Sequence, residues 1–300
     1  MRVPPLVIVA ALVAAVGGSA LPGCAQDGSP ADRPRPFFST AANGLAAPQG
    51  KGDLYLLQVF YLVERRGPGT EPVDLWRFLD ETVLPPAVRS CLAANGLRVA
   101  IAGEMAREQL DRALAAHRNI TVQRAGDVYA HQGYALDVPY GVARQDIALI
   151  YTRADGTVCG RDFTDAGCIV RFQCLAAEQA NTTDVHMSQW IIHGQKQPRY
   201  RKTATGWVKG QERPTFWFGD LRATVPLREG QVLVVGPAPE QRLSIGDHLF
   251  VNRAEPYTVV TTIVLAPRLV AAGAVPPGTS VVGEQPAGRE ESPEPTDSGR

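Results

Sequence analysis

Apolar residues in this chain fall into three patterns that follow one another. Leu6–Val16 (LVIVAALVAAV) is an unbroken apolar run of eleven residues. A membrane-spanning helix needs about 20. Asp53–Glu64 (DLYLLQVFYLVE) is dense in Leu, Val, Tyr and Phe and predicts a buried strand. Pro72–Leu79 predicts a short helix. Pro85-Pro86 predicts the start of another, with proline in its first turn. Asn95-Gly96 ends that helix with residues that tolerate positive φ. Leu97–Ala102 (LRVAIA) predicts a strand. Glu104–His117 carries Met105, Leu110, Ala113 and Leu114 at helical spacing, with charges outside.

From Thr121 onward the helical period is lost. Candidate strands cover 120–130, 133–138, 145–153, 168–176, 184–193, 200–209, 214–225, 231–236 and 258–266. Turn residues separate them at Ala154-Asp155-Gly156, Lys196-Gln197-Pro198 and Arg228-Glu229-Gly230. The expected fold class is α+β. A small N-terminal β-α-α-β-α unit (51–118) precedes an antiparallel β unit (119–270), a sandwich or curled sheet. No repeat at a fixed period is present.

The apolar run sits behind Arg2 and is followed by the small residues Gly17, Gly18, Ser19 and Ala20, the order of a secretory signal at 1–23. Leu21-Pro22-Gly23-Cys24 has the aliphatic residue, small residue and cysteine of a bacterial lipobox, with Pro22 less usual. Cys24 is therefore the candidate lipidation site, and ordinary secretion is the alternative. Ala25, where Asp would favour retention, points to the outer membrane. Residues 24–50 read as a lipidated Pro/Gly/Ser/Ala tether, spanning about 25–30 Å as a random coil. Residues 271–300 read as a tail too poor in apolar residues to bury a core.

Charge narrows the partners. Removing residues 1–23 removes Arg2 and no acid, leaving 29 basic against 30 acidic residues. That balance predicts neither a nucleic-acid footprint nor a polybasic patch. Four cysteines remain beside Cys24: Cys91, Cys159, Cys168 and Cys174. In an exported chain they suggest up to two disulfides, with three pairings open. Cys159 with Cys168 or Cys174 is the favoured bond. A metal cluster of these with His186 or His193 is the competing reading, against which stands the absence of a CxxC pair.

No motif announces a reaction. The mature chain has no GxSxG, no Walker A and no GxGxxG opening a helix. Asp74, Asp80 and Glu81 around Trp76 form a carboxylate cluster, more readily explained as caps and solvated faces. His117, His131 and His248 are scattered. Trp190, Trp207 and Trp217, with Phe216, are the candidate ligand-binding aromatics, though such residues more often fill a sandwich core. No metal and no cofactor is expected.

Two resemblances add to this. Leu75-Trp76, Leu84-Pro85-Pro86 and Leu92–Val99 (LAANGLRV) resemble a family of uncharacterised envelope proteins of planctomycete-type bacteria. That resemblance continues at Gly219–Arg222, Leu227–Pro237, Gly246–Phe250 and Ile263–Leu269. It implies no activity. Residues 215–270 are also similar to the C-terminal domain of secretins, with Glu229–Gly236 as a strand, Gly246–Phe250 as a turn and Ile263–Val270 as a strand. Pro237 replaces a glycine of that pattern, and no membrane-crossing hairpin pair is evident. The resemblance implies a secretin-like β fold without a pore.

The expected function is a non-catalytic, lipid-anchored cell-envelope protein with a structural or interaction role. Its expected partner is an envelope protein of a secretin-type secretion or pilus assembly, met through a sheet edge. A periplasmic or surface binder of small ligands or carbohydrate is the alternative, and a hydrolase without a recognisable motif ranks third.

Overall fold

The computed structural model describes residues 53–270, apart from 180, 204, 205, 240 and 255, together with 281 and 282. Cys24, the leader, the tether and nearly all of the tail lie outside the described residues.

The chain begins with β1 (Leu54–Arg66), a 3-10 turn (Leu75–Phe78), α1 (Pro86–Ala94), β2 (Leu97–Ala102) and α2 (Glu104–Ala116). Four longer strands follow: β3 (Ile120–His131), β4 (Ala135–Thr152), β5 (Val158–Ala176) and β6 (Thr182–Ile192). Then come β7 (Gln197–Thr203), β8 (Gly206–Glu212), β9 (Thr215–Trp217), a 3-10 turn (Gly219–Leu221), β10 (Ala223–Arg228) and β11 (Val232–Pro237). The last elements are α3 (Ile245–Phe250), β12 (Val251–Ala254), β13 (Tyr257–Val270) and β14 (Val281–Val282). The fold is β-rich, mostly antiparallel sheets with few helices.

One sheet runs β14-β3-β1-β13-β11-β2, with β12 also on β13. Its strands come from both ends of the chain: Leu54 pairs with Val270 and Arg66 with Thr258. A second sheet runs β10-β6-β5-β4, with β9 beside β6. The facing sides of the two sheets share one core. Tyr55, Leu57 and Val59 of β1 and Leu233 and Val235 of β11 meet Val170 and Phe172 of β5 and Val185 and Met187 of β6. On the far side of the first sheet, Leu62, Val232, Val234 and Val264 pack under Leu75 and Leu110. The second half of β1 is thus covered on the opposite face from the first, under α2 and the first 3-10 turn. β11 lies between two apolar layers, which is why Val232–Gly236 carries no polar position.

Local chemistry sets the helices. Pro86 opens α1 where a missing N–H costs nothing, and Gly96 leaves its end at φ +75. Gly246–Phe250, expected as a turn, is helical, because the Ser244 hydroxyl accepts from Asp247 N at 3.1 Å and Ile245, Leu249 and Phe250 drop into the core.

The region around Asn95 joins four segments. The fully buried Asn95 amide donates to Cys91 O and to Thr152 O, both at 2.8 Å, and Thr152 N donates to its Oδ1 at 2.8 Å. Gly246 N donates to Asn95 O, and Ala238 N to Gly96 O. Gly246 meets Gly96 so closely that a Cβ on it would lie 1.8 Å from Gly96 O. Asn95-Gly96, Ala238 and Gly246 thus converge here.

The expected disulfides are corrected. Cys91, Cys159, Cys168 and Cys174 are free thiols. Three of them lie on the single strand β5. At about 3.3 Å per residue, Cys168 and Cys174 are roughly 20 Å apart and Cys159 and Cys168 roughly 30 Å. A disulfide needs Cα atoms within about 7 Å. The favoured bond rested on closeness in sequence, whereas after the turn at 153–157 β5 runs as one strand that holds these cysteines apart.

Candidate functional site

The sequence candidates occupy three separate places, and a fourth feature went unrecognised. The first place is a cleft of about 430 Å³ on the helix-covered side of the first sheet. Its walls come from β1, the 72–76 loop, β2, Pro237–Pro239 with Gln241, α3, β12 and β13. Trp76 forms one wall. Gly236 lets its ring approach, since a Cβ there would lie 2.9 Å from Trp76 Cζ2. The Arg98 guanidinium covers the ring at 4.2 Å and is held by Glu81, its Nε 3.1 Å from Oε2. Glu64, 6 % exposed, accepts from Val73 N at 3.0 Å and from Arg66 at 2.7 Å. Arg253 donates to both oxygens of Asp247 at 2.9 and 2.6 Å. Each of these arginines answers a carboxylate, and the three pairs brace the walls.

The carboxylate cluster resolves into local structure. Asp74 accepts from Trp76 N at 3.2 Å. Asp80 accepts from Thr82 N at 2.8 Å and from its hydroxyl at 2.6 Å, and those bonds hold its carboxyl below the usual range. No group of three metal-ligating side chains comes together among the described residues. The buried Cys168 and Cys174 thiols are pushed up to about 12 by desolvation, which suppresses the thiolate needed for nucleophilic or metal chemistry.

The second place is the outer face of the five-stranded sheet. Asp137 of β4 holds Arg171 of β5 at 2.6 and 2.9 Å. Arg171 lies 4.4 Å over Trp190 of β6, which stacks on Trp217 of β9 with centroids 5.9 Å apart. Two of the three predicted aromatics therefore meet, in a ladder across four strands with both rings half-buried. A neighbouring aromatic group of Tyr151, Phe163, Phe216 and Phe218 closes the end of the core, with Arg161 over Phe216 at 4.2 Å and His193 against Phe163 at 5.1 Å.

The third place is the β7–β8 ribbon, where Trp207 is 69 % exposed and far from a core role. The segment 200–209, expected as one strand, is two, and Tyr200 and Val208 are exposed with Trp207.

The unrecognised feature is an open edge. β3 pairs with β1 along its inner side, but on its outer side only Tyr129 and Ala130 are paired, with β14. Among the described residues, 120–128 have no strand on that outer side. A bulge at Ala125-Gly126 and the Arg124–Asp127 ion pair interrupt the edge at its middle. Ile120–Gln123 keeps an unshifted register with β1, with Thr121 and Val122 exposed. No residue type marks an edge; it follows from which strands are absent beside it.

No helix among the described residues is long and apolar enough to cross a membrane. No family model, curated protein or solved structure matches this chain.

Proposed function

We propose that this protein is a non-catalytic component of a bacterial cell envelope, anchored through lipid on Cys24 and acting by binding another envelope protein. The observation that carries this reading is the open outer edge of β3 at Ile120–Gln123. Unpaired N–H and C=O groups on a straight edge can add a partner strand, main-chain bonds supplying affinity. The similarity of residues 215–270 to the secretin C-terminal domain points to a component of a secretin-type secretion or pilus assembly as that partner.

A second reading, binding of a small ligand or carbohydrate, rests on the 430 Å³ cleft. It ranks behind because Trp76 is already covered by Arg98, and the charged walls are committed to each other.

Consecutive residues of an edge strand point their N–H groups in opposite directions. Of Thr121→Pro and Val122→Pro, one removes a bond to β1 and the other removes an outward donor. The variant that keeps the parent's thermal unfolding is the probe. A membrane protein crosslinked to wild type in the native host and lost with that variant supports the edge. Equal recovery from both, or none from wild type, sinks it. The anchor is tested apart: an alkyne fatty acid should label wild type and leave Cys24→Ala unlabelled.

A further inference from the structure

Among the described residues, β7 and β8 form a two-stranded ribbon of their own, pairing with each other and with neither of the two sheets. Its base is stapled. His193 N donates to Pro214 O, Gly194 N to Thr164 O, and the buried Arg213 guanidinium to Gly194 O at 2.7 Å and to Asp165. Its arms are bare: residues 197–200 and 206–209 are exposed. An uncovered two-stranded ribbon is marginal in water. Exposed on it are Tyr200 at 61 %, Trp207 at 69 % and Val208 at 53 %.

The register sorts the residues. Tyr200 is paired with Lys209, and Lys202 with Trp207. Paired residues share a face, and positions two apart on one strand share it too. One face of the ribbon therefore carries Tyr200, Lys209 and Trp207 together. Residues 196–212 hold Lys196, Arg199, Arg201, Lys202 and Lys209 against the single acid Glu212, in a chain of net charge zero. The overall balance conceals this local excess.

We infer that the β7–β8 ribbon docks on an anionic phospholipid surface. Tyr and Trp favour the water–hydrocarbon boundary, having an apolar ring and a polar edge. Lysine and arginine on the same element meet the phosphates. Each commits the ribbon to a layered surface, apolar below and anionic above. This inference rests on the reading that holds the chain at a membrane, and it would make the ribbon a second contact beside the lipid on Cys24.

The test uses the full chain carrying Cys24→Ala, so that no acyl chain contributes, and flotation with phosphatidylcholine vesicles with or without one quarter phosphatidylglycerol. Any binding through the leader, Arg2 included, is common to all variants and cancels when they are compared with the parent. The parent should prefer the anionic vesicles, and its tryptophan emission should shift to the blue on binding. Lys202→Ala with Lys209→Ala should weaken that preference about 30-fold, from about a fivefold loss for each lysine. Trp207→Tyr should retain most binding and lose most of the blue shift. All variants should unfold thermally like the parent, because the ribbon covers no core. Binding that ignores vesicle charge or is unchanged by the lysine variants overturns the inference. So does ribbon-dependent dimerisation, or capture of a single-stranded oligonucleotide, without vesicle binding. Because lipidation is absent from this assay, its result is independent of the fatty-acid labelling at Cys24.

Discussion

Asn95→Ala offers the sharpest test of how this fold is held together. Asn95 is fully buried, and its amide makes three bonds of 2.8 Å that tie the end of α1 to Thr152 of β4. Truncation leaves Thr152 N–H and two carbonyls without these partners in a site closed to water. An unpaired buried polar group costs about 1–3 kcal/mol, so the three together cost about 3–5 kcal/mol after partial relaxation. For a domain of this size that lowers Tm by roughly 10 °C. Urea unfolding followed by far-UV circular dichroism measures it directly. Asn95→Asp adds a sign. Its carboxylate still accepts from Thr152 N but sets a second oxygen against the carbonyls of Cys91 and Thr152. At pH 7 it should be no more stable than Asn95→Ala. Burial and repulsion raise the folded-state pKa of the new acid above its unfolded value, so the variant should recover stability as pH falls and the acid becomes a donor. A loss below about 1 kcal/mol for Asn95→Ala, or an Asn95→Asp chain as stable as the parent at pH 7, would refute this account of the junction.

Three further outcomes are expected. Gly246→Ala should yield little soluble protein, since its Cβ would meet Gly96 O at 1.8 Å, whereas Gly160→Ala, which meets nothing within 4 Å, should unfold within about 0.5 kcal/mol of the parent. In a Cys24→Ala chain without reductant, Ellman's reagent at pH 8 should titrate four thiols in urea but at most the half-buried Cys91 and Cys159 in the folded state; fewer than four in urea would restore a disulfide. Burial, with Arg161 and Arg213 adding to it, holds the His193 pKa below its ordinary value of 6.5. The unfolded chain then takes the proton first, so this contribution is complete above about pH 6.5 and declines as pH falls below it; urea midpoints of His193→Gln from pH 7.5 to 5 should fall less steeply than those of the parent.

Local signals carried the first third of the fold. The Leu/Val/Tyr/Phe run of β1, Pro86 and Asn95-Gly96 around α1, and the spacing of Leu110 and Leu114 in α2 each act within a dozen residues. What they could not reveal is pairing: nothing near Leu54 indicates that Val270 lies beside it. The start of β5 gives no strand signal because Val158–Gly167 mixes Gly and Asp with few apolar residues, and of these only Phe163 and Ala166 are buried. β4 was read as two strands because irregular pairing interrupts it between Tyr140 and Ile147. β7 and β8 were read as one strand because Ala204-Thr205 is not a strong turn signal. Of the three candidate tryptophans, residue type alone could not separate the half-buried pair Trp190 and Trp217 from the exposed Trp207. A charge count confined to 196–212 could have singled out the ribbon.

The pairing of β1 with β13 orders folding in time. β1 sits between β3 and β13 in the sheet, and its partner on one side ends on the order of 200 residues later in the chain. Bringing together positions so distant in sequence is slow, because most of the loop-closure entropy is lost before the contact is gained. Until Tyr257–Val270 has been synthesised, Leu54–Arg66 has no neighbour on that side and the sandwich cannot close. Among the described residues β13 is the last long strand, so β1 gains its second neighbour, and the first sheet its middle, only when Tyr257–Val270 is in place.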